Sequence, residues 1–269
     1  MSAPGAAVAR RWRPPPLIRN PVLRWTLTVA AAAYLAVALG SLEVNWQRVW
    51  EGLDRGLAFV ASFAHPDFTS RWGEISEGIV ESINMTIAST AVGIALSVPI
   101  GLGAARNLAP MPVYLVCRGI IAGARTFQEI IIAILFVKMF GFGPLAGAVT
   151  LAFATIGFLG KLIAEDIEDT DAAQLEAIRA TGASWLQLVN YAVQPQVMPR
   201  LVGLSLYRLD INFRESAVLG IVGAGGIGAT LNTAFDRYEF DTAAAILLII
   251  IAIVMMAEYA SGVVRRHIQ

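Results

Sequence analysis

Six long stretches of mostly apolar residues constrain this chain more than any other feature. An α-helix needs about 20 such residues to cross the hydrocarbon core of a bilayer. The runs lie at about 22–42, 79–105, 113–140, 145–164, 196–222 and 242–264. With 57% hydrophobic and only 15% charged residues, the composition is also that of a membrane protein. The sequence therefore predicts an all-α membrane protein with six transmembrane helices.

The runs divide the chain into a predicted series of segments. These are an N-terminal arm (1–21), a first transmembrane helix (22–42), an extracytoplasmic interfacial segment (43–77), a five-helix core (78–264) with a polar loop (172–195), and a tail (265–269). The interfacial assignment follows from aromatic residues interleaved with charges. A cleaved signal peptide ending near Gly40 is an alternative for the first run, whereas a twin-arginine signal is disfavoured because prolines follow the arginine pair.

The distribution of basic residues predicts the orientation. If both termini are cytoplasmic, eleven Lys and Arg residues fall inside and five fall outside, as the positive-inside rule requires. The inside set is Arg10, Arg11, Arg13, Arg19, Arg24, Arg106, Lys161, Arg179, Arg200, Arg265 and Arg266. The outside set is Arg48, Arg55, Arg71, Lys138 and Arg237. The net charge is zero, so nothing indicates a nucleic-acid partner.

Several catalytic and binding functions are disfavoured by residue content. A single cysteine, Cys117, excludes an internal disulfide, and the two histidines, His65 and His267, lie near opposite ends, so neither a metal site nor a catalytic residue is predicted. Residues 223–228 match G-x-G-x-x-G, but they follow a membrane run rather than a strand, so we interpret them as a helix-packing loop. No G-x-x-x-x-G-K-[ST] motif occurs, so the chain is not predicted to hydrolyse ATP itself.

A polar segment stands between the fourth and fifth runs. It reads Glu-Ala at 176–177, with Gly182 six residues on and Pro195 thirteen beyond that. The pattern predicts a short amphipathic helix, a turn at the glycine and a stop at the proline. The expected apolar face consists of Leu175, Ile178 and Leu186. An ordinary loop helix with no special role is the alternative interpretation.

Charged residues inside the runs are the clearest chemical signal. A charge at the bilayer centre costs about 2.5–3.5 kcal/mol on insertion scales, so such groups usually pair or serve a pathway. Arg125 and Glu129 lie four residues apart, as do Asp210 and Arg214, which predicts one shared helix face for each pair. Mutual neutralisation is the alternative to a transport role. Glu129, Asp210 and Glu215 could also moderate the cations of a path so that cargo is released.

Arg208 differs from these pairs. It shares a helical stripe with Asn212 and Glu215, and that glutamate is seven residues away, roughly 10 Å along the axis. Arg208 is therefore predicted to be the cation most available to a passing anion. A guanidinium binds phosphate-like oxygens through two parallel hydrogen bonds, so an arginine in a pore suits an oxyanion.

Several motifs carry a family resemblance. They are residues 124–127, 156–162, Tyr-Arg-Leu-Asp-Ile-Asn-Phe-Arg at 207–214 and the glycine-rich 218–228. Together with the polar loop, they resemble permeases of phosphonate importers, in the type I ABC importer class. On this resemblance Glu176, Ala177, Gly182 and Pro195 fall on the motif that couples to an ATPase. Arg208, Asn212 and Arg214 fall on the polar block of the fifth span.

The resemblance also implies partners. They are a second copy of the chain, two ATPase subunits that hold ATP and Mg, an extracytoplasmic substrate-binding protein and membrane lipid. No cofactor is expected in this chain. The sequence departs from the family pattern at Ala192 and Gln194, which replace bulky apolar residues, at Asp210, where Glu is more usual, and at Gln128. Proline is frequent at that last position, so a kink in the third span is not assured.

The predicted function is that of a permease subunit of an ATP-driven importer for phosphonate-type oxyanions. Arg125, Arg208, Asn212 and Arg214 are the candidates for the substrate path. A related importer for phosphate, phosphite or methionine is an alternative. A secondary transporter or channel is a further one, although it has no need of a coupling loop. An intramembrane enzyme is disfavoured because the runs contain no pair of His or Cys residues.

Overall fold

A computed structural model describes residue 18 and residues 20–42 and 44–268 of the chain. Most of the predicted cytoplasmic arm and the last residue of the predicted tail lie outside this part. The described residues form helices and loops, with no strand among them, which confirms the all-α prediction. The helices are α1 (Pro21–Gly40), α2 (Trp46–Ser62), α3 (Trp72–Gly103), α4 (Met111–Thr126), α5 (Glu129–Phe140), α6 (Pro144–Glu168), α7 (Ala172–Ala180), α8 (Trp185–Leu188), a π-helical turn (Val189–Val193), α9 (Gln194–Ile221), α10 (Ile227–Asp236) and α11 (Phe240–Ile268).

The chain divides into two compact units, Met1–Gly56 and Leu57–Gln269. The first contains α1, which is apolar and has no buried residue. Within the described ranges four helices are long and apolar enough to cross a membrane, namely α1, α3, α6 and α11 over Phe240–Val263. The bent pair α4 and α5 qualifies as a fifth if it counts as one span. Helix α9, which contains most of the fifth predicted run, is too charged to qualify by composition.

The third predicted span is broken. Helix α4 ends at Thr126, Phe127 and Gln128 have extended backbone, and α5 starts at Glu129 at 95° to α4. The kink that the missing proline made uncertain is therefore present. The expectation that Arg125 and Glu129 share one helix face is wrong, because no single helix contains both. Glu129 instead pairs with a side chain of α9, so a tertiary contact replaces the local one.

The second unit is built on close packing of α3 against α6. Gly93 of α3 lies against Thr155 of α6 so closely that an added Cβ would come within 2.5 Å of the threonine side chain. Small residues of this kind let helix backbones approach in a membrane, where packing rather than water exclusion drives association. Helices α9, α10 and α11 pack beside this pair, and the apolar cluster of Ile75, Ala217, Ile227 and Ile246 joins all of them to α3.

The glycine-rich loop connects α9 to α10 and has no strand before it, so the interpretation as a helix-packing loop is confirmed. Two side chains of α3 cap the start of α10. The Gly226 N–H donates to Glu81 Oε2 at 2.9 Å, and the Ile227 N–H donates to Ser82 Oγ at 2.9 Å. Gly226 has φ +74°, a conformation that glycine adopts without strain. The motif thus serves helix packing and capping.

Replacing Gly228 with alanine is expected to destabilise the protein strongly. A Cβ at this position would lie 1.8 Å from the Ala217 carbonyl oxygen, so α9 and α10 would have to separate. Overpacking of a tight site typically costs about 1–3 kcal/mol, and a clash with backbone should exceed that range. Thermal unfolding of the purified protein in detergent measures the effect. Gly73→Ala is the control, because nothing lies within 4 Å of its Cβ position. Equal unfolding temperatures for Gly228→Ala and wild type would contradict the close packing.

Candidate coupling and translocation sites

The polar loop folds as two short helices that meet at Gly182. The Asp171 side chain caps α7 by accepting a hydrogen bond from the Ala173 N–H at 2.9 Å. Gly182 has φ +81° and ends the first helix, as the sequence predicts. Ser184 and Gln187 then form a reciprocal capping box that begins α8. The geometry of the turn therefore depends on a residue that tolerates the left-handed region.

Apolar and polar contacts hold this loop against the rest of the second unit. Leu175 is buried against Leu188 and Ala192. Arg179 Nη2 donates to the Asn107 carbonyl at 3.2 Å, and Trp185 Nε1 donates to the Leu108 carbonyl at 3.3 Å. The loop therefore lies on the connection between α3 and α4. Its outer face, including Glu176 and Ala177, is exposed.

Two expectations for this loop are wrong. Pro195 does not end a helix but stands in the first turn of α9. The chain instead continues from α8 through the π-helical turn directly into α9. Leu186 is 65% exposed, so only Leu175 and Ile178 of the predicted apolar face pack inward. The α8 helix is rotated relative to a simple continuation of α7, because Gly182 turns the chain between them.

Arg208 is buried in the middle of α9. Its side chain is 4% exposed, and its Nη2 lies 3.3 Å from Glu129 Oε1 and 3.2 Å from Glu215 Oε2. Nε donates to Thr155 Oγ1 at 3.1 Å, and the guanidinium lies 5.5 Å from the centre of the Phe158 ring. The prediction that Arg208 is the most available cation is therefore wrong for this conformation. Its guanidinium group is already in contact with two carboxylates, a hydroxyl group and an aromatic ring.

Asn212 extends the same network one turn further along α9. It is fully buried, and its Nδ2 donates to Thr90 Oγ1 at 2.8 Å and to Thr155 Oγ1 at 3.1 Å. Thr90 lies on α3 and Thr155 on α6, so one side chain connects three helices. Sequence reasoning missed both threonines. Their signal was a small polar residue inside an apolar run, a residue type that often hydrogen-bonds across membrane helices.

The Asp210–Arg214 pair forms as predicted. Arg214 Nη2 lies 3.1 Å from Asp210 Oδ2. The two side chains differ in environment, because Asp210 is 9% exposed and Arg214 is 57% exposed. Asp210 Oδ1 is buried and accepts no hydrogen bond from the described residues. Arg214 is thus held by one carboxylate oxygen while more than half of its side chain stays exposed.

Arg125 lies in the last turn of α4, directly before the break. It is exposed, and it makes no ion pair within the described part of the chain. The structure therefore places Arg208, Asn212, Glu129 and Glu215 in one network, in which Arg208 and Asn212 are buried and the two glutamates are partly exposed. It leaves Arg125 and Arg214 outside that network as exposed cations. The described residues contain no group of His, Cys, Asp and Glu side chains arranged to hold a metal ion.

Most of the chain, from the end of α3 onward, matches a known family of membrane proteins. The family described as binding-protein-dependent transport system inner membrane component matches residues 97–268. The chain belongs to this family. Its members are transport subunits of the inner membrane and not enzymes, so the prediction of a permease is confirmed.

Relatives of this permease include transport permeases for phosphate, phosphite and phosphonate. The phosphate-import permease protein PhnE of Mycolicibacterium smegmatis is 36% identical over 252 residues, 93% of this chain and 47% of that protein, so the permease spans about half the length of this relative. The phosphite transport system permease protein PtxC of Stutzerimonas stutzeri is 40% identical over 79% of this chain and 78% of its own. A putative cryptic phosphonate transport permease, PhnE2 of Escherichia coli, is 43% identical over 42% of this chain and 93% of its own. The predicted resemblance to phosphonate importer permeases is confirmed.

Solved structures show the same fold. In an inward-facing MetNI methionine ABC transporter, one chain matches 75% of this permease and 99% of its own length, with a TM-score of 0.64 and 22% identity. A bacterial alginate ABC importer matches 90% of the permease and 96% of its own chain, with a TM-score of 0.51 and 16% identity. The permease therefore has the fold found in ABC importers of type I, as predicted.

Proposed function

We propose that the permease carries phosphonate-type oxyanions through an ATP-driven importer. The observation that carries this proposal is the similarity to relatives named for phosphate and phosphite transport over 93% and 79% of the chain, and to one named for phosphonate transport over 42% of it. Their cargoes share a tetrahedral phosphorus with anionic oxygens, which a guanidinium binds well. A weaker similarity, 26% identity to a probable D-methionine permease of Vibrio cholerae, keeps methionine as an alternative cargo.

Exposed arginines support an anion path. Arg125 beside the break and Arg214 on α9 are both available to a ligand, and we assign them to the path together with Arg208 and Asn212. The first two would meet cargo in the conformation described above. The buried Arg208 would meet cargo only if Glu129 or Glu215 released it. Glu129, Asp210 and Glu215 moderate the positive charge, which lets a pathway bind its cargo without holding it.

Contacts between loops support six spans with both termini in the cytoplasm. The polar loop (172–195), which we propose as the coupling loop, contacts the α3–α4 connection through Arg179 and Asn107. Those two connections therefore lie at one end of the second unit. At the other end, the Gly143 N–H donates to the Gly223 carbonyl at 3.0 Å, and the Asp67 N–H donates to the Asp241 carbonyl at 3.2 Å. This pattern suits a chain in which α3, the bent pair, α6, α9 and α11 each cross once, after α1. The positive-inside rule then assigns the coupling loop to the cytoplasm.

The exposed face of the coupling loop is assigned to an ATPase. We place one ATPase subunit on Glu176 and Ala177 of each of two copies of the permease, with Gly182 and Pro195 fixing the shape of the loop. ATP and Mg would be held by those ATPase subunits, and this chain would hold no cofactor. An extracytoplasmic binding protein would deliver the cargo, membrane lipid would surround the spans, and no nucleic acid would take part. A secondary transporter is the less favoured alternative.

ATPase activity of the complete reconstituted importer, with its binding protein, tests the proposal. Alkylphosphonates are expected to stimulate hydrolysis more than phosphate, phosphite or methionine. A ligand shifts a conformational equilibrium only through differential affinity, so stimulation reports recognition of the loaded state. Stimulation by phosphate or phosphite alone would support an ATP-driven importer but contradict phosphonates as its cargo. A response to methionine and to no oxyanion would contradict the role of the arginines.

A further inference from the structure

Tyr238 occupies a position that normally requires glycine. Helix α10 ends in a Schellman motif, in which the Tyr238 N–H donates to the Phe235 carbonyl at 3.0 Å and the Glu239 N–H donates to the Ala234 carbonyl at 3.0 Å. The left-handed residue of this motif is usually Gly, sometimes Asn. Here it is Tyr238, with φ +59°, and no other non-glycine residue in the described ranges has a positive φ. A bulky side chain in that region is a true outlier.

The side chain of Tyr238 does little for the fold. It is 76% exposed, and its ring makes an edge-on contact with the ring of Phe240, with 6.1 Å between the ring centres. An unfavourable backbone conformation without a compensating buried contact is a reason to look for a functional one. Tyrosine offers a large, rigid, amphipathic surface and is enriched at the energetic centres of protein–protein interfaces.

The backbone that carries Tyr238 is firmly anchored. Arg71 Nε lies 2.6 Å from Glu239 Oε2, and the same guanidinium pairs with Glu74 at 2.9 Å. The Ser62 hydroxyl donates to the Phe240 carbonyl at 3.0 Å. Tyr238 therefore extends from a fixed platform rather than from a flexible loop tip. A rigid anchor loses little conformational entropy on binding, which favours affinity.

An acidic basin of about 640 Å³ adjoins this platform. Its charged lining consists of Asp67, Arg71, Glu74, Arg237, Glu239 and Asp241, four carboxylates against two guanidinium groups, a formal charge of −2. Hydrogen bonds from Ser70 and Thr69 hold the pKa of Asp67 well below its usual range, and the bond to Glu239 raises the pKa of Arg71. These two groups therefore stay charged at any pH used for transport.

We propose that Tyr238 and this acidic basin form the docking surface for the extracytoplasmic binding protein, and that the docking protein presents basic side chains to the basin. The assignment rests on the proposed function, in which this end of the permease lies on the extracytoplasmic side of the membrane. The negative charge of the basin favours a basic binding partner. Anionic lipid headgroups and a second copy of the same acidic surface would both be repelled, whereas a basic protein loop would be attracted.

The matched pair Tyr238→Asn and Tyr259→Asn tests the surface. Asparagine tolerates the left-handed conformation, so the first variant keeps the turn and removes the ring. Tyr259 is equally exposed at 76% but lies on α11, outside the proposed surface. The readout is the affinity of the purified binding protein for the permease–ATPase complex in nanodiscs, together with basal ATPase activity without binding protein. We expect Tyr238→Asn to weaken binding about tenfold or more with unchanged basal activity, and Tyr259→Asn to bind like wild type.

The outcomes separate this inference from the proposed function. If the wild-type complex is not stimulated by any loaded binding protein, the proposed function fails. If it is stimulated and Tyr238→Asn binds like wild type, the docking surface alone is wrong. A tenfold loss that is matched by Tyr259→Asn, or by a fall in basal ATPase activity, also overturns the surface. Glu74→Lys is a second variant, for which weaker binding and a smaller salt dependence are expected, and stronger binding would contradict a basic partner.

Discussion

Replacing Arg208 with glutamine is expected to lower the free energy of unfolding by about 3–5 kcal/mol, the usual cost of removing one partner from a buried ion pair. The change leaves the partly buried carboxylates of Glu129 and Glu215 without their shared cation. It also removes the donor to Thr155 Oγ1, so the hydrogen bonds at the junction of α3, α6 and α9 are rearranged. Thermal unfolding of the permease in nanodiscs measures the loss, and uptake should fall with it.

A triple variant separates the structural role of this cluster from a role in transport. Arg208→Gln combined with Glu129→Gln and Glu215→Gln removes all three charges and keeps similar side-chain volumes. Removing all three charges together leaves no uncompensated charge, so the triple variant should unfold closer to the wild-type temperature than the single variant does. Restored stability without uptake would assign the charged cluster of Arg208, Glu129 and Glu215 to the cargo path. Restored stability with restored uptake would show that the network only holds the fold. A triple variant no more stable than the single one would contradict the ion-pair explanation.

The position of the network gives it a place in conformational change. Glu129 is the first residue of α5, directly after the 95° break, and its carboxylate is held by α9. A movement of α9 during alternating access must either carry the start of α5 with it or break this contact. Packed membrane helices tend to have discrete arrangements rather than continuous ones. We therefore expect the Arg208–Glu129 contact to differ between inward- and outward-facing states.

Hydropathy predicted the spans for a clear physical reason. A backbone in lipid must satisfy its own hydrogen bonds, so a long apolar run can only be a helix, and α1, α3, α6 and α11 follow directly. The same reasoning gave no warning of the break before Glu129. Gln128 has no proline-like restriction, and the Glu129 side chain that follows the extended residue is in contact with α9. A single sequence does not display such a tertiary contact.

Helical spacing also explains the wrong prediction for Arg208. Seven residues separate it from Glu215, roughly 10 Å between their levels on the axis, and this spacing predicts no pairing. Both side chains are long, and they reach towards each other to 3.2 Å. The Asp210–Arg214 pair, with the usual spacing of four, was predictable from the sequence. Spacing rules describe Cα positions well and extended side chains poorly.

Replacing Gly182 with proline is expected to uncouple ATP hydrolysis from uptake. Gly182 has φ +81°, whereas proline is fixed near −65°, and the Gly182 N–H donates to the Arg179 carbonyl at 3.0 Å. The turn between α7 and α8 cannot keep its shape, so the face that carries Glu176 would be displaced. In the reconstituted importer, cargo taken up per ATP hydrolysed should fall by about tenfold or more.

Gly182→Asn is the matched control for this uncoupling. Nothing lies within 4 Å of a Cβ at this position, so only the backbone conformation restricts the substitution, and asparagine tolerates φ > 0. It should retain nearly all uptake, while Gly182→Ala should fall between the two because a left-handed alanine costs about 1–2 kcal/mol. Normal uptake by Gly182→Pro would remove this turn from the coupling pathway. Equal failure of Gly182→Asn would instead mean that the surface at this point, rather than the turn, is what the ATPase contacts.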